Sequence, residues 1–394
     1  MNEFPKVILN PAKERSIRLM HPWVFSGAVK RVEDNVKEGD VVEVFSHDNK
    51  YLATGHYHEG SIKVRIFSFE KTNFDAEFWN VKLSAALALR KALGLINNSV
   101  TNTYRLVHAE GDGLPGLIID VYGNCAVVQA HTIGMYQSLA EISKALLNLK
   151  EIGLDCIYDK SADALQKQTN IVEANRLLAG DKTDSIVVEN GIRFYVNWEE
   201  GQKTGFFIDQ RENRKLLQSY TQGKKVLNTF SYSGGFSMYA LQAGASLVHS
   251  VDSSKRAMEW CNKNAELNKN ETNHHFYQQD AFDFLKSNSA FYDVIVLDPP
   301  AFAKHLSSEK KAIIGYRNLN TEGFKHIAPG GILFTFSCSQ VIDKITFRKI
   351  VFQAAAQSAR NVKVLHQLSQ GPDHPVSIYH PEGEYLKGLV LYVE

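Results

Sequence analysis

The sequence predicts an α/β protein, a doubly wound parallel sheet over residues 199–394, preceded by a β-rich segment and a smaller α+β segment. Three observations carry this. Strand and helix patterns alternate from Lys224 onward, residues 1–72 read as short alternating runs cut by turn residues, and 394 residues exceed one ordinary core.

The elements follow in order. Val41–Phe45, Tyr51–Gly55 and Ile62–Phe67 alternate as strands, separated by turns such as Glu38–Asp40 and His47–Asn49. Phe78–Leu93 takes helical spacing, and a turn cluster spans His108–Gly116. Leu117–Tyr122, Gly123–Asn124 and Cys125–Ala130 read as a hairpin. A helix over Met135–Leu149 and strands at Cys156–Asp159 and Ile186–Val196 complete the α+β segment. Beyond it, strands are expected at Lys225–Asn228, Leu247–Asp252, Asp293–Leu297 and Ile332–Phe336. Helices are expected at Phe236–Gln242, Lys255–Asn268, Ala281–Lys286, Tyr316–His326 and Thr346–Ser358.

Composition narrows the function classes. With 44% hydrophobic and 22% charged residues, the chain reads as soluble and globular. No apolar run approaches the roughly 20 residues that span a bilayer, so no membrane partner is expected. The opening segment, Met1 to Met20, lacks a signal peptide's apolar core, which makes cytoplasmic residence the expectation. Lys and Arg total 44 against 43 acids, a balance that neither predicts nor excludes a nucleic-acid partner. Cys125, Cys156, Cys261 and Cys338 lie far apart without a CxxC, against a zinc knuckle or a disulfide framework. His274 and His275 would point to opposite faces of a strand, so no metal site is expected. The sequence does not fix the oligomeric state; a homodimer stays open.

Ligands of open α/β sheets bind beyond the carboxyl ends of the strands. Here the first strand runs into Asn228–Thr229–Phe230–Ser231–Tyr232–Ser233–Gly234–Gly235, where paired glycines allow close backbone approach. Asp252 ends the next strand, the position where a carboxylate meets a ribose diol. Asp280 and Asp298 end the following stretches. A single strand-ending Asp is commonly a turn or cap residue, but four strand ends in register make a rim. A nicotinamide site is the rival reading. Yet the G-x-G-x-x-G fingerprint that seats a pyrophosphate is absent, while the sulfonium and ammonium of S-adenosylmethionine suit an acid-lined rim.

NTFSYSGGFS, VDSS, QQDAFDFL, VLDPPAF and FSCS, in this order, resemble the motifs of class I RNA methyltransferases. More narrowly they resemble the bacterial 23S ribosomal RNA large subunit methyltransferase I family, which makes 5-methylcytosine. Gly201–Asn213, His108–Asp120 and Tyr385–Leu389 are similar too, so the resemblance spans essentially the whole chain. It implies a PUA-like RNA-binding domain (1–72), a central α+β domain (73–198) and a Rossmann-like class I methyltransferase domain (199–394). It also implies S-adenosylmethionine as cofactor and RNA, in particular 23S rRNA, as partner. The cofactor contacts expected are Asn228, Phe230, Ser231, Tyr232, Gly234, Gly235, Asp252, Ser253, Asp280, Ala281 and Asp298, with Asp209 and Gln210 from the segment before the first strand.

Carbon 5 of a pyrimidine becomes nucleophilic only after a thiolate adds to carbon 6, and cysteine supplies that thiolate. Cys338 directly follows the fourth strand between two serines, so it should reach the rim. The other cysteines sit in apolar or helical runs and read as core. Asp298–Pro299–Pro300 is a rigid turn that can hold Asp298 against N3 or N4 of the base. Many RNA cytosine-5 enzymes carry a second cysteine after this turn, whereas here position 301 is Ala301. His380–Pro381–Glu382 resembles the His-x-Glu motif of uridine-5 enzymes, which makes Glu382 a candidate base. For RNA binding, Lys6, Lys13, Arg15, Arg18, Lys30 and Arg31 surround Trp23: cations position phosphates and an aromatic can stack a base. Other readings stay open: methylation of an exocyclic amine or of uridine C5, or a non-catalytic RNA-binding ribosome-assembly factor.

Overall fold

Apolar, β-branched runs bounded by polar turns become strands, and near-continuous apolar runs become strands buried on both faces. The structure, a computed structural model, describes residues 3–165, 174–181, 186–270, 272–303 and 305–394. It forms two compact units. The first comprises Met1–Val187, Val196–Ile208 and Pro372–Gly383; the second comprises Val188–Tyr195, Asp209–Gly371 and Glu384–Glu394. Pro372–Gly383 thus returns to the first unit from within the C-terminal half of the chain.

In the first unit, a six-stranded sheet runs Trp23–Phe25, Ile62–Ser68, Tyr51–Tyr57, Val41–Phe45, Lys6–Leu9, Val29–Val32. Val7, Leu9, Val42, Val44, Val64 and Ile66 are its core. A five-stranded sheet runs Arg176–Gly180, Cys156–Asp159, Cys125–Ala130, Leu117–Tyr122, Thr103–His108. The hairpin has the expected register, Tyr122 opposite Cys125, with Gly123 at φ +63°. The helix Ala76–Ala92 begins at Asp75, whose carboxylate accepts from the amides of Glu77 and Phe78. The expected helix over Met135–Leu149 is two helices, Ile133–Gln137 and Leu139–Asn148. Ser138 separates them, its hydroxyl donating back to Gly134 O at 2.8 Å. The expected strand Ile186–Val196 is instead a hairpin, Ile186–Glu189 and Ile192–Tyr195, which from Val188 on belongs to the second unit. Asn190 and Gly191 both take positive φ (49° and 80°), as an Asn-Gly hairpin turn requires.

The second unit holds a seven-stranded sheet: β1 (Lys225–Thr229), β2 (Leu247–Asp252), β3 (His274–Gln278), β4 (Tyr292–Leu297), β5 (Ile327–Ser337), β6 (Val362–Leu368) and β7 (Lys387–Val393). The spatial order is β3-β2-β1-β4-β5-β7-β6, parallel except β7, which runs antiparallel to both neighbours. The order reverses between β1 and β4, the switch point where such sheets bind ligands. The helices are α1 (Arg211–Gln218), α2 (Gly235–Gln242), α3 (Lys255–Leu267), α4 (Ala281–Ser287), α5 (Glu309–His326) and α6 (Lys344–Gln357). Leu227, Val251, Ile295, Leu297, Leu333 and Leu391 form the core. The helix expected from Tyr316 starts two turns earlier, and β6 and β7 were not anticipated. Among the described residues no helix is long and apolar enough to cross a membrane.

Candidate active site

The turn after β1 is built on left-handed backbone. Phe230 (φ 53°), Tyr232 (φ 48°) and Gly234 (φ 81°) all take it, an arrangement that costs non-glycine residues energy and persists where their neighbours enforce it. Asp252, at the end of β2, is the enforcer. Its Oδ2 accepts from Tyr232 N and its Oδ1 from Ser254 N, both at 2.9 Å. A carboxylate has about four acceptor sites, so lone pairs remain for a diol.

Asn228 directs its side chain inward. It is 2% exposed and donates to Ser237 Oγ at 2.9 Å; Ser237 meets Ser250 Oγ at 2.6 Å, and Ser250 meets His274 Nε2 at 2.7 Å. This buried chain braces β1, α2, β2 and β3 beneath the turn. Ser231 is buried, whereas Ser253 is exposed beside Asp252. Asp280 is the cap of α4, its Oδ1 accepting from Phe282 N (2.8 Å) and Asp283 N (3.1 Å), and Ala281 is buried behind it. Asp280 itself stays exposed while it caps.

A second cluster gathers around Asp298. Gln210 Nε2 donates to Asp298 Oδ2 at 3.0 Å; Gln210 Oε1 accepts from Asn213 at 2.6 Å, and Asn213 also reaches Ser369 O. Asp209 accepts from the Tyr385 hydroxyl at 2.6 Å. Cys338, half-buried, directs Sγ toward Pro299 O at 4.0 Å, and Ser339 Oγ donates to Ala303 O at 2.6 Å. The loop after β5 therefore clamps both ends of the proline turn. The Asp209–Gln210 pair, Asp298 and Cys338, from three separate stretches of sequence, belong to one unit. The other cysteines are fully buried. Cys125 and Cys156 face each other across parallel strands, and burial pushes the Cys261 thiol up to about 12. Sequence reading assigned no role to Tyr385, Lys387 or Asn213. The first two stand in the terminal motif already quoted, and Asn213 stands in the segment before β1.

Glu382 belongs to the first unit. Its Oε1 lies 3.4 Å from His21 Nε2 and its Oε2 3.8 Å from His380 Nε2. Partial burial works to raise its pKa, but its own backbone amide, His21 and His380 outweigh that and hold it below the ordinary value. That is the setting of a paired carboxylate, not one tuned upward as a base. Trp23 is likewise engaged: its Nε1 donates to Glu110 at 2.9 Å, and its ring meets His380 at 4.3 Å and the Arg65 guanidinium at 5.2 Å. Of the expected RNA-binding cations, Arg15, Arg18, Lys30 and Arg31 sit on short elements of this unit, Arg18 pairing with Glu14, while Lys13 is exposed and Lys6 lies over the Phe45 ring. Glu14, His47 and Asp48 bring potential ligand atoms within 4.8 Å of one another, a surface grouping not anticipated from sequence.

Known proteins match this geometry. The family described as S-adenosylmethionine-dependent methyltransferase matches residues 151–388, and a PUA-like domain matches residues 7–69. The chain is an S-adenosylmethionine-dependent methyltransferase, and it belongs to the family of proteins named ribosomal RNA large subunit methyltransferase I. A relative of that name from Pseudoalteromonas atlantica is 39% identical over 98% of this chain and 99% of its own. One from Aeromonas hydrophila is 40% identical over 98% of each. Among solved structures, a putative methyltransferase complexed with SAH has a TM-score of 0.85 at 24% identity, covering 98% of this chain and 99% of its own, and shares the fold. The strained turn, the half-satisfied Asp252 and the exposed Asp280 fit that cofactor.

Proposed function

We propose that this enzyme methylates carbon 5 of a cytosine in large-subunit (23S) ribosomal RNA, in the cytoplasm, through a covalent adduct of Cys338. The observation that carries this reading is the position of Cys338. It alone among the four cysteines is partly exposed, at the end of β5 with its sulfur against the Asp298–Pro299–Pro300 turn. The relatives' shared name supports ribosomal RNA as the substrate.

Bound S-adenosylmethionine supplies an electrophilic methyl group. The turn Phe230–Gly235, Asp252 with Ser253, and Asp280 with Ala281 would hold it. The Cys338 thiolate adds to carbon 6 of the cytosine, forming a carbon–sulfur bond and moving the ring's electron pair toward carbon 5. Asp298, oriented by Gln210, accepts from the N4 amino group and holds the base edge in place. Carbon 5 takes the methyl group, leaving S-adenosylhomocysteine; its proton then passes to solvent, and the electron pair of that C–H bond restores the carbon 5–carbon 6 double bond as the carbon–sulfur bond breaks and releases the Cys338 thiolate. The target base must be unstacked to reach the site. The cations of the first unit supply phosphate contacts. Amine methylation would use an aromatic beside the proline turn to stack the base, but Phe302 packs inward on Tyr316 at 4.6 Å.

RNA carrying 5-fluorocytosine at the target should trap the wild-type enzyme as an adduct stable to denaturing electrophoresis, since fluorine cannot leave as a proton does. Cys338→Ala should form no adduct and transfer no methyl group, with cofactor affinity unchanged by calorimetry. Full methyl transfer by that variant would overturn the reading. Mass spectrometry of ribosomal RNA from a deletion strain identifies the nucleotide.

A further inference from the structure

A cysteine nucleophile raises the question of its ionisation. An unassisted thiol titrates at about 8.5, so only a few per cent is thiolate at neutral pH. One buried cation stands at the same strand end. Lys387 opens β7 directly opposite Ser337, the residue before Cys338, and is 5% exposed. Its Nζ donates to Ser339 O and to Tyr385 O, both at 2.6 Å. The ammonium is thereby fixed to the carbonyl of Ser339, the residue after Cys338.

Lysines ordinarily carry the ammonium out to water along a flexible stem. Enclosing this one costs solvation that carbonyl dipoles offset only in part. The neighbouring carboxylates are committed elsewhere: Glu384 pairs with Lys344, and Asp343 caps α6 through Thr346 N. Burial pushes the Lys387 ammonium down to about 8. Among the charges opposing that shift, Cys338 ranks ahead of Glu384 and Asp343, while Lys344 acts the other way. Burial raises the pKa of the Tyr316 hydroxyl on α5, and the charges of Cys338 and Asp298 add to that.

We propose that Lys387 is a positioning residue that holds Cys338 as a thiolate. The thiol proton passes to solvent, its electron pair stays on sulfur, and the carbonyls of Ser339 and Tyr385 keep the ammonium from swinging away. The proposal rests on Cys338 being the nucleophile. Lys387 is charged below about pH 8 and neutral above, so its effect belongs to the neutral range.

The test is the rate of Cys338 alkylation by iodoacetamide from about pH 5.5 to about 10, read by peptide mass spectrometry. Lys387→Met should raise the midpoint by about one unit, making alkylation about tenfold slower at pH 7. Methyl transfer should fall in parallel at pH 7 and recover toward wild type in alkaline buffer. Lys387→Arg, which keeps the charge, should preserve the wild-type midpoint. If Lys387→Met does not fold, Lys387→Gln carries the same comparison. An unchanged midpoint in a neutral variant that binds S-adenosylmethionine normally overturns the proposal. Methyl transfer by Cys338→Ala would instead sink the nucleophile reading, and the alkylation midpoint would still report the pairing.

Discussion

Gly234 is where the turn proposed to hold the cofactor meets the core, and replacing it with alanine has a cost that divides into two measurable parts. Its backbone is left-handed, φ 81°, and an added Cβ would lie 2.5 Å from Cys261 Sγ and 3.5 Å from Met238 Cε. Left-handed backbone costs a non-glycine residue about 1–2 kcal/mol. Cys261 is fully buried on α3, so the clash is an overpacked core, worth about 1–3 kcal/mol. Gly234→Ala should therefore destabilise by about 2–5 kcal/mol, the sum of those two costs, and weaken cofactor binding, because the strain falls in the segment that carries Phe230 and Tyr232. Cys261→Ala alone should cost about 1 kcal/mol, as a small cavity. In that background the added methyl group loses its nearest obstacle, and its next contacts, at 3.5 Å, are ordinary. The double variant should then be more stable than the additive expectation by about 1–3 kcal/mol, with the backbone cost remaining. Thermal unfolding by circular dichroism and calorimetric titration with S-adenosylmethionine read both parts. Additivity within about 0.5 kcal/mol would refute the packing argument, since independent sites behave that way.

Asp252→Ala should weaken cofactor binding by about 1.5–3 kcal/mol, and unchanged affinity in a folded variant would remove Asp252 from the site. Lys30→Gln combined with Arg31→Gln should lower the slope of log affinity for RNA against log salt by about 1.4–1.8; an unaltered slope would take those two cations off the RNA path. Glu382→Gln should leave methyl transfer within about twofold, because a carboxylate held low by His21 and His380 is a weak base. Accumulation of the covalent adduct on unmodified RNA in that variant would show instead that Glu382 takes the carbon-5 proton.

The central strands of the second unit were legible because burial on both faces leaves an uninterrupted apolar run, as in Val294–Leu297. β6 was not legible. At the sheet edge none of its residues is fully buried, so Val362–Leu368 shows no continuous apolar run. The Asn190–Gly191 turn, by contrast, carried a readable local signal that a single strand over Ile186–Val196 passed over. Its consequence is tertiary. The hairpin presents Glu189 to Arg214 and Tyr239 in a fully buried network, Arg214 Nε to Glu189 at 2.9 Å and the Tyr239 hydroxyl to Glu189 at 2.9 Å. Burial works to lower the Arg214 pKa, but the Glu189 charge and hydrogen bonds outweigh it, so the guanidinium stays charged.

The site divides along a similar line. Asp252, Asp298 and Cys338 could be placed from sequence because each ends a strand, and parallel strands in register deliver their ends to one rim. Asn228 obeys the same rule but turns inward to Ser237, since alternate residues of a strand face opposite ways. Gln210, Tyr385 and Lys387 follow no strand-end rule. Their contacts cross 88, 176 and 48 residues of sequence to Asp298, Asp209 and Ser339. Such contacts become visible only when β7 is known to run antiparallel beside β5, which sets Lys387 opposite Ser337. Those long-range contacts fix the orientation of groups that strand ends can only bring near. Asp298 is tied through Gln210, the Asp209 segment through Tyr385, and the peptide beside Cys338 through Lys387. In the proposed mechanism, a carboxylate and a thiol held in this way before substrate arrives would lose little freedom in the transition state, which is how a preorganised site lowers a barrier.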